Sequence, residues 1–183
     1  MDIIGYAIIT AALIAIAGII YYISTYYIAQ NMLSLATYVE SLVYEALTHD
    51  FQSAVTLASM GQVTGSFTYV LTLPTSAMPV GNVALTYVAT LYPAELPSGG
   101  VGLYANISVV VMSGPWYINY TRTKLPIMSS AQPVTIIALN CGNSNEPVTL
   151  VNSTWVNPPS GTYCRWSSLD VAEGRAMLIV SKG

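Results

Sequence analysis

Over residues 3–39 the chain has no Asp, Glu, Lys, Arg, His or Pro. The absence of charge excludes a solvated surface helix there, and the absence of proline removes the strongest helix breaker. Cationic side chains are scarce everywhere. All five (Arg122, Lys124, Arg165, Arg175 and Lys182) lie in the last third, and the first 121 residues hold none. With a net charge of −3, nucleic acid and anionic lipid find no basic surface to bind. Charged residues make up 7% of the chain, against about 25% in an ordinary soluble protein. Ser, Thr, Tyr and Asn supply most of the polar surface instead, and such a surface changes little on acidification.

The residues of catalysis are missing as well. No nucleophile elbow, Gly-rich phosphate loop or metal-ligand spacing occurs, and the eight carboxylates are scattered. Two cysteines and one distant histidine cannot complete a tetrahedral metal shell. His49 lies beside Asp50, but immediate neighbours on a helix do not face each other, so the pair reads as a polar stretch near a helix end. The expectation is a protein that is not an enzyme and carries no cofactor or metal.

What is there begins with length. At about 1.5 Å per residue, residues 3–39 make a helix of roughly 55 Å, whereas a bilayer core of ~30 Å needs only ~20 residues. Residues 3–20, nearly all aliphatic or small, match one bilayer core. Four tyrosines follow within seven residues, Tyr21, Tyr22, Tyr26 and Tyr27. Tyrosine favours the membrane–water interface, with its ring buried and its hydroxyl wet. That placement puts Met1 on the inner side; packing of the rings between helices is the other reading. Ala7, Ala11 and Ala15 at four-residue spacing, with Gly18 next, form a small-residue stripe that lets helices approach closely. Beyond the tyrosines the pattern turns amphipathic: Met32, Leu35, Val39, Leu42, Val43, Ala46 and Leu47 repeat at helical spacing, with Glu40, Glu45 and Asp50 between them. The helix is expected to reach about Ser59 and to give way at Gly61 and Gly65.

From Val63 the period becomes two, and eight short runs are strand candidates: 67–73, 83–91, 101–111, 116–121, 134–140, 148–156, 162–166 and 176–181. Turn residues separate them, including Leu73-Pro74-Thr75-Ser76, Pro97-Ser98-Gly99-Gly100 and Asn157-Pro158-Pro159-Ser160-Gly161. The fold class is therefore α+β: a long N-terminal hydrophobic helix (1–60), followed by an antiparallel β-sandwich-like or barrel-like head domain (61–183).

Three tripeptides fit the N-glycosylation pattern: Asn106-Ile107-Ser108, Asn119-Tyr120-Thr121 and Asn152-Ser153-Thr154. Alternation places Asn106 and Asn119 on the polar face of their strands. N-linked glycans on the head are the expectation, and with them an extracellular compartment. Cys141 and Cys164 are then expected to form a disulfide, with two unpaired buried thiols as the alternative. The flank at Met1 and Asp2 has no basic residue, although membrane helices carry Lys or Arg on their cytoplasmic side. Either the helix inserts without that signal or a basic leader is removed, and the second is the expectation.

A helix so apolar must be buried nearly all round. The head needs its own core, but other copies of the same helix could bundle with it, and contacts that do not close generate a helical filament. In its long apolar-then-amphipathic helix and its β-rich head with sequons, the chain resembles the archaeal type IV pilins, relatives of archaeal flagellins and, more distantly, of bacterial type IV pilins. Bacterial pilins carry glutamate at the fifth mature position; here it is Gly5, as suits the archaeal forms. The resemblance implies a precursor in the cell membrane, a leader peptidase, pilus assembly machinery, and a cell-surface adhesion filament that is a homopolymer of this chain. The long, turn-rich head favours a pilus over a swimming filament. The rival reading is a single-pass, membrane-anchored, glycosylated β domain that does not polymerise.

Overall fold

A computed structural model describes residues 3–60, 65–74, 83–97, 99–130 and 133–183. Helix α1, Ile3–Ser59, runs without interruption, as the lack of proline predicts. Its end is tightened by the Met60 N–H donating to the Leu57 carbonyl at 3.2 Å and by the Ser59 hydroxyl donating to the Thr56 carbonyl at 2.7 Å. The expected break at Gly61, the change of period at Val63, the turn residues Thr75, Ser76 and Ser98, and the placement of Met1 and Asp2 lie outside the described residues.

Among the described residues eight strands follow: β1 Ser66–Val70, β2 Val83–Glu95, β3 Val101–Ser113, β4 Trp116–Met128, β5 Val134–Leu139, β6 Val148–Val151, β7 Cys164–Ser167 and β8 Met177–Lys182. They form two four-stranded sheets, ordered β1-β8-β5-β6 and β4-β3-β2-β7, with every pairing antiparallel. The fold is α+β, as the periodicity predicts, and the head is two packed sheets rather than a closed barrel.

Strand β4 runs further than its sequence pattern suggested. Its inward set is Trp116, Ile118 and Tyr120, then shifts phase to Leu125 and Ile127. The shift occurs at a bulge, where the register skips between Ala105 and Ile107 of β3 and Lys124 takes a left-handed φ of 58°. An extra residue re-aims every side chain after it. Strand β1 stops short of Leu73, because the Thr72 N–H donates to the Asp50 carboxylate at 2.6 Å rather than to a neighbouring strand. A short helix, α2 Ser168–Ala172, was not foreseen. It opens on a capping box in which Ser167 and Asp170 satisfy each other's backbone N–H groups.

One hydrophobic core joins the two sheets and the second half of α1. Met32, Ala36, Glu40, Val43, Leu47, Phe51, Ala54 and Ala58 are buried at three- and four-residue intervals and cover the inner face of β3 and β4. Two residues expected on the polar side of this helix, Glu40 and Asp50, are buried on the same stripe. Each has partners across the interface. Arg122 Nη1 lies 3.4 Å from Glu40 Oε2, and Asp50 accepts from Thr72 and from the Tyr69 hydroxyl. These bonds fix the rotation and height of the helix on the sheet, because a buried acid away from its donors is costly. Burial first, then the Asp50 charge, pushes the Tyr69 hydroxyl above its ordinary pKa.

Candidate functional site

Among the described residues, nothing buries the first half of α1. From residue 3 to residue 31 every side chain is exposed except the half-buried Thr25, and Ile3 and Ile14 show 90% and 68% of their surface. A rod roughly 44 Å long and ~10 Å wide has about 1,400 Å² of side surface. Monomeric soluble proteins rarely expose an apolar patch above ~600 Å², so this segment is built to be covered. The hydroxyls of its two threonines are satisfied locally. The Thr10 hydroxyl donates to the Tyr6 carbonyl at 2.7 Å, and the Thr25 hydroxyl donates to the carbonyls of Tyr21 and Tyr22. Threonines bonded back onto their own helix present methyl groups outward, as an environment without water demands.

Among the described residues this is one helix long and apolar enough to cross a membrane. Residues 3–22 span a bilayer core of ~30 Å, which leaves 23–31, roughly 13 Å more, equally bare and beyond it. The small-residue stripe of Ala7, Ala11, Ala15 and Gly18 is exposed along its length, and a Cβ added at Gly18 has open space around it. Tyr21, Tyr22, Tyr26 and Tyr27 are all exposed, with the last two rings in edge contact at 6.5 Å.

The head places two of the three sequons together, on the face of β3 and β4 turned away from α1. Ser108 pairs with Thr121, so the hydroxyl-bearing residues of the first two sequons stand side by side, 2.9 Å apart. The Ser108 hydroxyl donates to Asn119 Oδ1 at 2.9 Å, and Asn119 is exposed. Asn152 lies elsewhere, just after β6 in the other sheet. Its Oδ1 accepts from the N–H and the hydroxyl of Thr154 at 3.0 and 2.8 Å, folding that sequon into an Asx turn. Asn106 is half-buried opposite the β4 bulge. Its Oδ1 accepts the Lys124 N–H at 2.9 Å, a donor that the bulge leaves without a ladder partner.

Cys141 and Cys164 are bonded, as expected. Their bridge ties the end of β5 to the start of β7, and so one sheet to the other. Asn143 reinforces it, donating to the Tyr163 carbonyl and accepting from the Arg165 N–H at 2.9 and 2.8 Å. A shallow groove of about 730 Å³ lies beside Asn106, between the outer face of β2 and the loop 158–163. The sequence pattern reads 157–161 as a turn and 162–166 as a strand; the strand begins only at Cys164, and nothing local in the loop announces which strand it will face. Among the described residues no cluster of three or more His, Cys, Asp or Glu could hold a metal.

No protein-family model, curated protein or solved structure matches the chain. Its functional reading therefore rests on its own geometry.

Proposed function

We propose that the chain is the structural subunit of an extracellular helical filament, an adhesion pilus of the archaeal type IV kind. It polymerises through residues 3–31 of α1, with the β heads and their glycans outside. The observation that carries this reading is the division of one continuous helix into two environments. Residues 32–58 bury one face in the head core, while residues 3–31, uncharged throughout, are exposed at every position but the half-buried Thr25. A bilayer covers about two thirds of the bare part; a bundle of identical helices covers all of it. The sequons Asn106 and Asn119 face away from α1, which suits a head whose helix points to a filament axis. Membrane residence before assembly uses the same segment, with the tyrosines at the outer headgroups.

Shearing cells and identifying the released material by mass spectrometry tests the reading. Filaments composed of this chain are the expected product. A chain that stays wholly in the membrane fraction would favour the anchored, non-polymerising ectodomain. Residues 3–22, which match a bilayer core with Tyr21 and Tyr22 at its edge, are the observation on that side.

A further inference from the structure

The groove beside Asn106 has a specific occupant built next to it. Asn106 lines the groove and heads the sequon Asn106-Ile107-Ser108. The orientation of its amide is fixed, because the Lys124 N–H can only donate and must therefore face the oxygen. The Tyr92 hydroxyl lies 3.4 Å from the same oxygen. Among the described residues the amide nitrogen has no hydrogen-bond partner, and solvent reaches it. That nitrogen is the atom that N-glycosylation modifies.

The walls have the chemistry of a sugar seat. Tyr92 is held in place by stacking on Tyr104, with ring centres 6.2 Å apart. Burial first, then the neighbouring Tyr104, pushes the Tyr92 hydroxyl above its ordinary pKa, so it stays a neutral donor. Pro158, Pro159 and Tyr163 form the opposite side, and Thr90 adds a hydroxyl at the floor. Flat apolar rings suit the C–H face of a pyranose, while the hydroxyls around them suit its rim. The volume, about 730 Å³, falls within the range of small-ligand sites.

We infer that the groove between β2 and the loop 158–163 seats the first sugars of an N-linked glycan carried on Asn106, holding that glycan against the head. The inference rests on the reading of the head as an exported, glycosylated domain. The outer face of β2 and β3 is thus covered by an ordered sugar, while a glycan on Asn119 extends into solvent.

The test is hydroxyl-radical footprinting of the protein isolated from its source cells, with glycopeptide mass spectrometry of Asn106. The comparison is with two variants lacking that glycan, Ser108→Ala and Asn106→Asp; the aspartate keeps an acceptor for the Lys124 N–H. Tyr163, 43% exposed in the bare chain, should be oxidised about threefold more slowly when the glycan is present, in keeping with a site that covers most of its ligand. Tyr117, 61% exposed on β4, should not change. Equal oxidation of Tyr163 in all three proteins would overturn the inference, as would equal protection of Tyr117, the mark of a glycan swinging freely. An unmodified Asn106 overturns it too. If Asn119 or Asn152 is then modified, the glycosylated-head reading survives; if all three are bare, both fall.

Discussion

Two substitutions on one helix should have separable effects. Phe51 is fully buried in the head core, where α1 crosses the inner face of the β4-β3-β2-β7 sheet. Truncating a buried phenylalanine to alanine removes its transfer energy and leaves a cavity, at a cost of about 3–5 kcal/mol. Against a total of about 5–15 kcal/mol for a domain, that is a large share, and it corresponds to a drop of roughly 10 °C in unfolding temperature. Ile14 sits on the same helix but is 68% exposed. In a detergent-held monomer, Ile14→Ala should change head stability by no more than about 0.5 kcal/mol, as for other surface changes. The same substitution within a polymer should cost about 2–5 kcal/mol per subunit, because a partner helix then buries the side chain. The assay is denaturant unfolding of the monomer by tryptophan fluorescence, since Trp116, Trp155 and Trp166 all report on the head. Denaturant-induced disassembly of filaments, read by light scattering, supplies the second half. Equal loss of head stability from both variants would refute the division of α1, and so would an Ile14→Ala polymer as robust as the parent.

Three further outcomes follow from the head. Reducing Cys141–Cys164, which lie 23 residues apart in sequence, should lower stability by about 3 kcal/mol, read as a shift in denaturant midpoint with and without reductant. Asp50→Ala removes the buried carboxylate that accepts from Thr72 and Tyr69 and should cost about 1.5–3 kcal/mol; an unchanged midpoint would show that these bonds do not hold the helix. Burial alone would raise the Asp170 pKa, but the hydroxyl and N–H of Ser167 and the Arg175 guanidinium more than offset this and hold it below the ordinary value. The sign follows from the lowered folded pKa. Its stabilisation is complete above the unfolded carboxylate pKa of about 4 and is lost as pH falls through the lower folded value. Asp170→Asn should therefore flatten the fall in stability below about pH 4; an identical pH profile for the variant would contradict the assignment.

Much of this was legible from local pattern. The uncharged, proline-free run marked the long helix, and the runs of two-residue periodicity after it marked the strands. The disulfide was legible from the count of cysteines and the compartment that the sequons imply. What escaped was decided by contacts between distant segments. Glu40 and Asp50 read as solvent-facing because their partners, Arg122 and Thr72, lie on β4 and just after β1. The second half of β4 escaped because the bulge at Lys124 reverses the alternation that marks a strand. The helix α2 had a local signal, the spacing of Ser167 and Asp170, but its five residues are too few to show a period. The groove beside Asn106 needed the loop 158–163 to fold over β2, which no single stretch encodes.

The most direct measurement is a helical reconstruction by cryo-electron microscopy of filaments sheared from the source cells, with the subunit identified by mass spectrometry. The expected map has residues 3–31 of many copies bundled along the axis, Ala7, Ala11, Ala15 and Gly18 at helix–helix contacts, and the Asn106 and Asn119 face on the outside. Filaments whose cores are made by another chain, with this one held singly in the membrane, would contradict assembly through the bare half of α1.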